Sequence, residues 1–247
     1  MENIKKIESW IEAIESSNLS KNEQEKRINA LVDLWKFSTS YDADLSFTDV
    51  PGIFAKKENG ISTQVNVHCE PLYIGKENDI ATSFFSEIEQ FFRGEEKKYA
   101  GIYKIELNKA LPNFNAQTLK AFKEEIIAAI KGEVILYQYI AKLNKFPADK
   151  VVVSNQNFTI FECNETSVLN NIAKLETRIT ATANKWLVLM LNNLEDQCNY
   201  YAIENSFSQA LETGFEKVFL FDFYKAEVIA VDLMKDEFKV SLNSGLS

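Results

Sequence analysis

The chain has 247 residues, of which 46% are hydrophobic and 12% aromatic, and this is enough apolar material to form a sizeable core. Its 27 Lys and Arg residues are outnumbered by 36 Asp and Glu residues, giving a formal net charge of -9. Such a charge disfavours free DNA or RNA as a partner, unless basic residues cluster locally, because phosphate binding relies on a basic surface.

Three cysteines, Cys69, Cys163 and Cys198, stand far apart in the sequence. Their spacing suits neither a disulfide framework nor a zinc site, so we predict three reduced thiols and a cytoplasmic location. The first residues include no continuous apolar segment typical of a signal peptide, and the longest apolar runs are far shorter than the ~20 residues of a membrane span. The sequence therefore predicts a soluble protein that neither spans a membrane nor is exported.

Apolar residues at helical spacing predict an N-terminal helical pair over residues 2–37. Isoleucines recur at this spacing between Ile4 and Ile14, with charged residues on the opposite face. A capping-box sequence that starts at Ser20 precedes the second helix, which we expect to end near Phe37.

The next segment predicts two short strands joined by a hairpin. Asn59-Gly60 is a turn signal, and the second strand is expected from Ser62 to Cys69. In that strand Val65 and Val67 lie on one face, whereas His68 lies on the other.

Helices alternate with strands over the rest of the chain. The pattern predicts helices at 80–91, 119–130 and 168–179 and around Phe207 and Leu211, and strands at 99–107, 151–153, 158–161, 186–191, 218–223 and 228–231. The segment from Tyr139 to Leu143 fits a helix or a strand. The alternation predicts an α/β fold with a central mixed sheet flanked by helices, and, because no linker is visible, a single domain over residues 1–247 with the helical pair packed on it.

Sequence motifs exclude several classes of enzyme. The chain has no G-x-G-x-x-G or G-x-x-x-x-G-K-[ST] motif to hold phosphates, and no G-x-S-x-G nucleophile motif. Its single histidine, His68, cannot support a metal site with several histidines. A nucleotide hydrolase, a Rossmann dehydrogenase and a serine hydrolase are therefore disfavoured.

The order of elements resembles the restriction-endonuclease-like nucleases. The resemblance covers roughly residues 4–233 and rests on element order and apolar pattern. Its segments are the N-terminal helix, the Pro51-Gly52 turn, the strand pair through Asn59-Gly60, the helix at Ile172-Ala173-Lys174-Leu175, the strand from Lys185 to Leu189 and the segment from Phe215 to Asp222.

The resemblance implies a catalytic signature that this chain lacks. In the family, a Pro-Asp pair and an acid-spacer-lysine sequence hold a divalent cation that activates water. The aspartate position after Pro51 is Gly52, and the acid and lysine positions are Asn66 and His68. Neither glycine nor a neutral amide supplies the anionic oxygen that a hard cation needs. The resemblance thus implies a catalytically impaired nuclease fold that acts as a binding or regulatory subunit, by analogy in bacterial genome defence, with a protein partner and no cofactor.

Two alternatives remain open. Asp49 and Glu70, with Glu12, form a displaced carboxylate set that would bind Mg or Mn beside His68 in an active nuclease. The acidic charge also suits an immunity or inhibitor protein that shields a basic partner.

A candidate partner-binding surface lies near the end of the chain. Tyr200 and Tyr201 follow Cys198 and Asn199, a context typical of a loop. An exposed tyrosine pair there would mark a partner surface.

Overall fold

A computed structural model of the chain describes residues 2–41, 45–108, 114–133, 136–155, 158–179, 184–192, 199–203, 213–223 and 225–231. The predicted helix around Phe207 and Leu211 lies outside these residues, as does Cys198. None of the helices within the described ranges combines the length and apolar character needed to cross a membrane.

The described helices are α1 (Glu2–Glu15), α2 (Lys21–Tyr41), α3 (Ala81–Phe91), α4 (Glu96–Tyr99), α5 (Ala116–Lys131) and α6 (Glu165–Glu176). Local sequence signals mark the start of α2 and both ends of α5. The Ser20 hydroxyl accepts a hydrogen bond from the Glu23 amide at 3.3 Å, as its predicted capping role requires. The capping box of α5 is formed by Asn115 and Thr118, and this helix ends at Gly132 in the left-handed conformation.

The strands vary from short edges to an eleven-residue strand. They are β1 (Leu45–Phe47), β2 (Ile53–Glu58), β3 (Ile61–Pro71), β4 (Gly101–Leu107), β5 (Ile140–Phe146), β6 (Val151–Asn155), β7 (Thr159–Cys163), β8 (Lys185–Asn192), β9 (Asn199–Ile203), β10 (Lys217–Asp222) and β11 (Glu227–Val231). Asn59 and Gly60 both have positive φ angles at the hairpin between β2 and β3, which explains the strong turn signal there.

The chain divides into two compact units. Unit 1 comprises Met1–Leu72, Leu169–Glu195 and Phe207–Ser247, and unit 2 comprises Tyr73–Val168 and Asp196–Ser206. Unit 2 is therefore formed by two insertions into the sequence of unit 1, which is why no linker composition marks it. That the chain folds as one domain over residues 1–247 stays a prediction.

Unit 1 contains a six-stranded mixed sheet among its described residues, in the order β1-β2-β3-β8-β10-β11. The strands β1, β2 and β3 form an antiparallel meander, β8 and β10 run parallel to β3, and β11 is antiparallel to β10. The prediction of an α/β fold with a mixed sheet is thus confirmed.

The helical pair covers one face of this sheet. Phe37 of α2 is fully buried and packs in one core with Val67 of β3 and Trp186 of β8. Trp10 of α1 and Trp35 of α2 pack against the same core but are only half-buried. Phe37 is therefore more deeply buried in the contact between the helical pair and the sheet than either tryptophan is.

Unit 2 has two smaller sheets in its described part. One has the order β5-β4-β6, with β5 antiparallel and β6 parallel to β4, and the other pairs β7 with β9 in parallel. The ambiguous segment after Tyr139 is a strand, β5. Tyr99, which we expected to begin a strand, instead ends the short helix α4.

Candidate functional site

The catalytic positions implied by the resemblance lie at the start of β2 and on β3. Val65 and Val67 of β3 are buried in the core beneath the helical pair. Because side chains alternate along a strand, Asn66, His68 and Glu70 point to the opposite face of the sheet. These three residues form the polar face of β3, which is the candidate functional site.

The position after Pro51 lies directly beside β3 but supplies no ligand. The carbonyl oxygen of Gly52 accepts a hydrogen bond from the Val67 amide at 2.8 Å. Gly52 has a φ angle of 83°, and a Cβ atom there would lie 3.6 Å from the Val67 carbonyl oxygen, an ordinary contact distance. The space for a side chain exists, whereas the backbone conformation favours glycine.

A buried lysine from the neighbouring strand joins the polar face. Lys185 of β8 pairs in register with Asn66, and only 5% of its surface is exposed. Its neighbour Trp186 lies in the core under the helical pair, so Lys185 points to the same face as Asn66. The family's lysine position is His68, and the structure thus brings a cation to this face from a different strand.

His68 has a buried ring nitrogen in an environment that favours the uncharged imidazole. Burial lowers the pKa of His68 from its usual value, and the positive charge of Lys185 makes a smaller contribution in the same direction. Its Nε2 atom is buried and has no hydrogen-bond partner among the described residues. An uncharged imidazole next to a lysine is suited to contact an anion or a polar ligand, and it is a weak base at neutral pH.

The two carboxylates of the alternative metal site pair with different cations. Asp49 is 98% exposed and lies 3.3 Å from the Lys6 ammonium of α1, while Glu70 lies 3.6 Å from the guanidinium of Arg178, which follows α6. Glu12, the third candidate, is exposed on α1. Across the described ranges, no group of three or more His, Cys, Asp or Glu residues is arranged to hold a metal ion.

The prediction that Tyr200 and Tyr201 form an exposed pair in a loop is wrong. Both lie in β9, where they are 7% and 5% exposed. Tyr200 packs against the ring of Phe158 with centroids 5.9 Å apart, and Tyr201 against Phe161 at 6.1 Å. Pairing of β9 with β7, which is distant in the sequence, buries the two rings and removes the reason to assign them to a partner surface.

Two charged residues near the polar face were not found by the sequence analysis. Lys185 and Arg178 reach this face only through tertiary structure.

Two titratable residues on the other face of the sheet were also missed. Asp33 of α2 lies there, and burial raises its pKa to about 6. Burial also raises the pKa of the Cys69 thiol, and the charges of Asp33 and Glu70 add to this effect. The one signal available was the presence of Asp33 among the apolar residues of α2.

An apolar cavity lies between the two N-terminal helices. Its volume is about 440 Å³, and its lining includes Trp10, Ile14, Leu31 and Pro51. Arg27, also in the lining, is paired with Glu23 at 3.3 Å. The cavity therefore offers mainly apolar contacts and lacks the convergent polar groups of a catalytic pocket.

No protein family, curated protein or solved structure matches the chain. The chemistry of the polar face is therefore the basis for any functional assignment. It presents a neutral amide, a neutral imidazole and a buried lysine, with one carboxylate that is paired to an arginine. This set can donate hydrogen bonds and attract an anion, but it is a poor ligand set for a hard cation.

Proposed function

We propose that unit 1 is a restriction-endonuclease-like scaffold with a degenerate catalytic site, and that the protein is a binding or regulatory subunit that does not cleave nucleic acid. The partner of this unit is a protein, and the setting suggested by the resemblance is bacterial genome defence. The proposal covers the function of the scaffold and requires no cofactor.

The order of elements in unit 1 supports the fold part of the proposal. An N-terminal helical pair precedes the meander β1-β2-β3, and α6 precedes β8, which pairs in parallel with β3. The turn at Pro51-Gly52 immediately precedes β2, where the resemblance places the family's first catalytic acid.

The residues at the catalytic positions carry the functional part of the proposal. Gly52 has no side chain, Asn66 is a neutral amide, and the buried ammonium of Lys185 is in register beside it. A cation placed there would meet a positive charge and no carboxylate at these positions, which is unfavourable for Mg²⁺ or Mn²⁺.

A cleavage assay with a metal titration tests the loss of activity. The purified full chain is incubated with single- and double-stranded DNA and RNA in magnesium or manganese, and manganese binding is measured by calorimetry. We expect neither cleavage nor stoichiometric binding. Cleavage that is lost in Asp49→Ala or Glu70→Ala would overturn the proposal and establish the displaced carboxylate site.

A gain-of-site variant tests whether these positions correspond to the family's metal ligands. The double substitution Gly52→Asp and Asn66→Glu restores both acids, and we expect it to introduce manganese binding. The matched control is Gly60→Asp with Gln64→Glu, which adds the same charge and the same positive-φ aspartate on the same strand pair. If both doubles fold and bind manganese equally, or if neither binds it, the assignment of the catalytic positions is wrong.

A further inference from the structure

The sheet β5-β4-β6 of unit 2 has one face in the protein core and one face open to solvent. Tyr103 and Ile105 of β4, Ile140 of β5 and Val151 and Val153 of β6 belong to the core of unit 2. The residues between them are exposed or half-buried, as the two-residue period of a strand requires. An antiparallel pair often leaves one face to solvent, but here the solvent face is not uniformly polar.

The open face combines an aromatic ring with lysines and small polar groups. It is defined here by Ile102, Lys104 and Glu106 of β4, Lys142, Asn144 and Phe146 of β5, and Val152 and Ser154 of β6. Register pairs bring Ile102 next to Phe146 and Lys104 next to both Asn144 and Ser154 across the three strands. The members of the open face are therefore neighbours on one surface and not merely residues of one pattern.

Phe146, the last residue of the edge strand β5, is the exposed aromatic ring of this surface. It is 45% exposed although it is a large apolar side chain in a sheet, and its partner Ile102 is half-buried beside it. The Lys104 ammonium lies 5.3 Å from the centroid of the Phe146 ring. An exposed ring with an adjacent cation can stack a planar base while the lysine contacts the phosphate of the same nucleotide.

The charge of the sheet is opposite to that of the whole chain. The open face carries Lys104, Lys142 and a single acid, Glu106, which faces Lys142 in register. The third lysine of these strands, Lys145, is in register with the core residue Tyr103 and so lies on the other face. The net charge of the chain is -9. The open face therefore has a small positive charge although the chain as a whole is acidic, so the overall charge does not describe this surface.

We propose that the open face binds single-stranded nucleic acid, with a base stacked on Phe146 and phosphates held by Lys104 and Lys142. Asn144 and Ser154 add hydrogen-bonding groups near the backbone of the ligand. Such a site tolerates many sequences, because every base has a planar face. An acidic protein segment would satisfy the lysines but would leave the exposed ring without a planar partner, so the aromatic contact favours nucleic acid.

This proposal does not depend on the absence of catalysis in unit 1. The open face consists of unit 2 residues, and binding without cleavage is its expected property. Failure of the stacking variants below would leave the metal and cleavage experiments on Gly52 and Asn66 unaffected, and the reverse also holds.

Fluorescence anisotropy with the full chain and labelled oligonucleotides of about 15 nucleotides, oligo-dT and oligo-U, tests the proposal. We expect saturable binding at low salt. Two phosphate contacts predict a loss of about sevenfold in affinity between roughly 50 and 200 mM salt. Absence of binding at low salt would overturn the proposal.

Substitutions at the ring separate stacking from simple charge attraction. Phe146→Ala is expected to weaken binding about tenfold or more, and Phe146→Leu nearly as much, because leucine retains apolar bulk without a planar face. Lys142→Glu should also weaken binding and reduce its salt dependence. Thermal melting of each variant verifies that unit 2 remains folded.

The matched control is Phe91→Ala. Phe91 is 54% exposed on α3 of the same unit, and the Lys131 ammonium lies 4.9 Å from its ring centroid, so it forms an equivalent pair away from the open face. We expect its loss to leave binding unchanged. Equal effects of Phe91→Ala and Phe146→Ala, or no effect of Phe146→Ala, would contradict the site. A labelled poly-glutamate peptide that binds the open face and resists competition by oligonucleotide would instead identify an acidic protein partner and overturn the proposal.

Discussion

The carboxylate of Glu125 connects α5 to the beginning of β5. Its substitution tests how much this contact stabilises unit 2. Glu125 is 8% exposed. Its two oxygens accept hydrogen bonds from the successive amides of Gln138, Tyr139 and Ile140, with distances between 2.8 and 3.1 Å. One side chain thus satisfies the backbone donors that precede and start an edge strand.

The expected cost of Glu125→Ala follows from these contacts. Tyr139 and Ile140 are buried, so their amides would lose a charged acceptor without gaining water. A hydrogen bond to a charged group contributes about 1.5–3 kcal/mol, and each orphaned buried donor costs about 1–3 kcal/mol. Removal of the buried carboxylate returns part of its own desolvation cost, so we expect a net loss of about 3–4 kcal/mol.

Two further variants make the measurement specific. Glu125→Gln keeps one acceptor oxygen and should lose about 1–2 kcal/mol less than the alanine variant. Glu124→Ala, at an exposed position on the same helix, should change stability by less than about 0.5 kcal/mol.

Urea unfolding followed by circular dichroism gives the free energies, and hydrogen exchange at Tyr139 and Ile140 localises the change. A loss below about 1 kcal/mol for Glu125→Ala, or unchanged exchange at these amides, would refute the anchoring role.

Three other substitutions test unit 1 and the end of α5. Because burial raises the pKa of Asp33 to about 6, the folded state binds more protons than the unfolded state between the usual carboxyl pKa and this value, and stability falls as pH rises through that window. Asp33→Asn should therefore raise the melting temperature above pH 6, and this gain should vanish near pH 4. The control is Glu25→Gln, at an exposed position of the same helix. An equal gain at all pH values, or the same pH profile in the control, would contradict this reasoning. Phe37→Ala should cost about 3–5 kcal/mol in urea unfolding and more than Trp35→Ala, because Phe37 is fully buried and Trp35 is not. The reverse order would place the main helix-sheet contact at the tryptophan. Gly132→Ala should cost about 1 kcal/mol, since this residue ends α5 with a φ angle of 75°, and an unchanged melting temperature would argue against that cap.

Local signals in the sequence determined most of the individual elements. The helical pair, the Asn59-Gly60 hairpin and the helix that ends at Gly132 each follow from periodicity and from residues that favour a cap or turn. These patterns depend on residues within a few positions of one another, so they can be predicted from the sequence alone. Even so, α2 continues to Tyr41, beyond the predicted end near Phe37, because Tyr41 stacks on Phe37 and packs against Trp186 in the sheet core.

Long-range pairing decided what the sequence left open or misread. The ambiguous segment after Tyr139 became β5 through its pairing with β4 and its anchoring by Glu125. Tyr200 was misread as exposed because its burial depends on β7, which lies far away in the sequence.

The candidate site shows the same division. The sequence alone identified Gly52, Asn66 and His68 as the positions that correspond to the family's catalytic residues, because the order of elements aligns them. Lys185 stands more than a hundred residues from Asn66 and reaches it only because β8 pairs in parallel with β3. Strand pairing is a property of the folded chain, and so tertiary structure decided the charge of the polar face and the grouping of Phe146 with Lys104 on the open face.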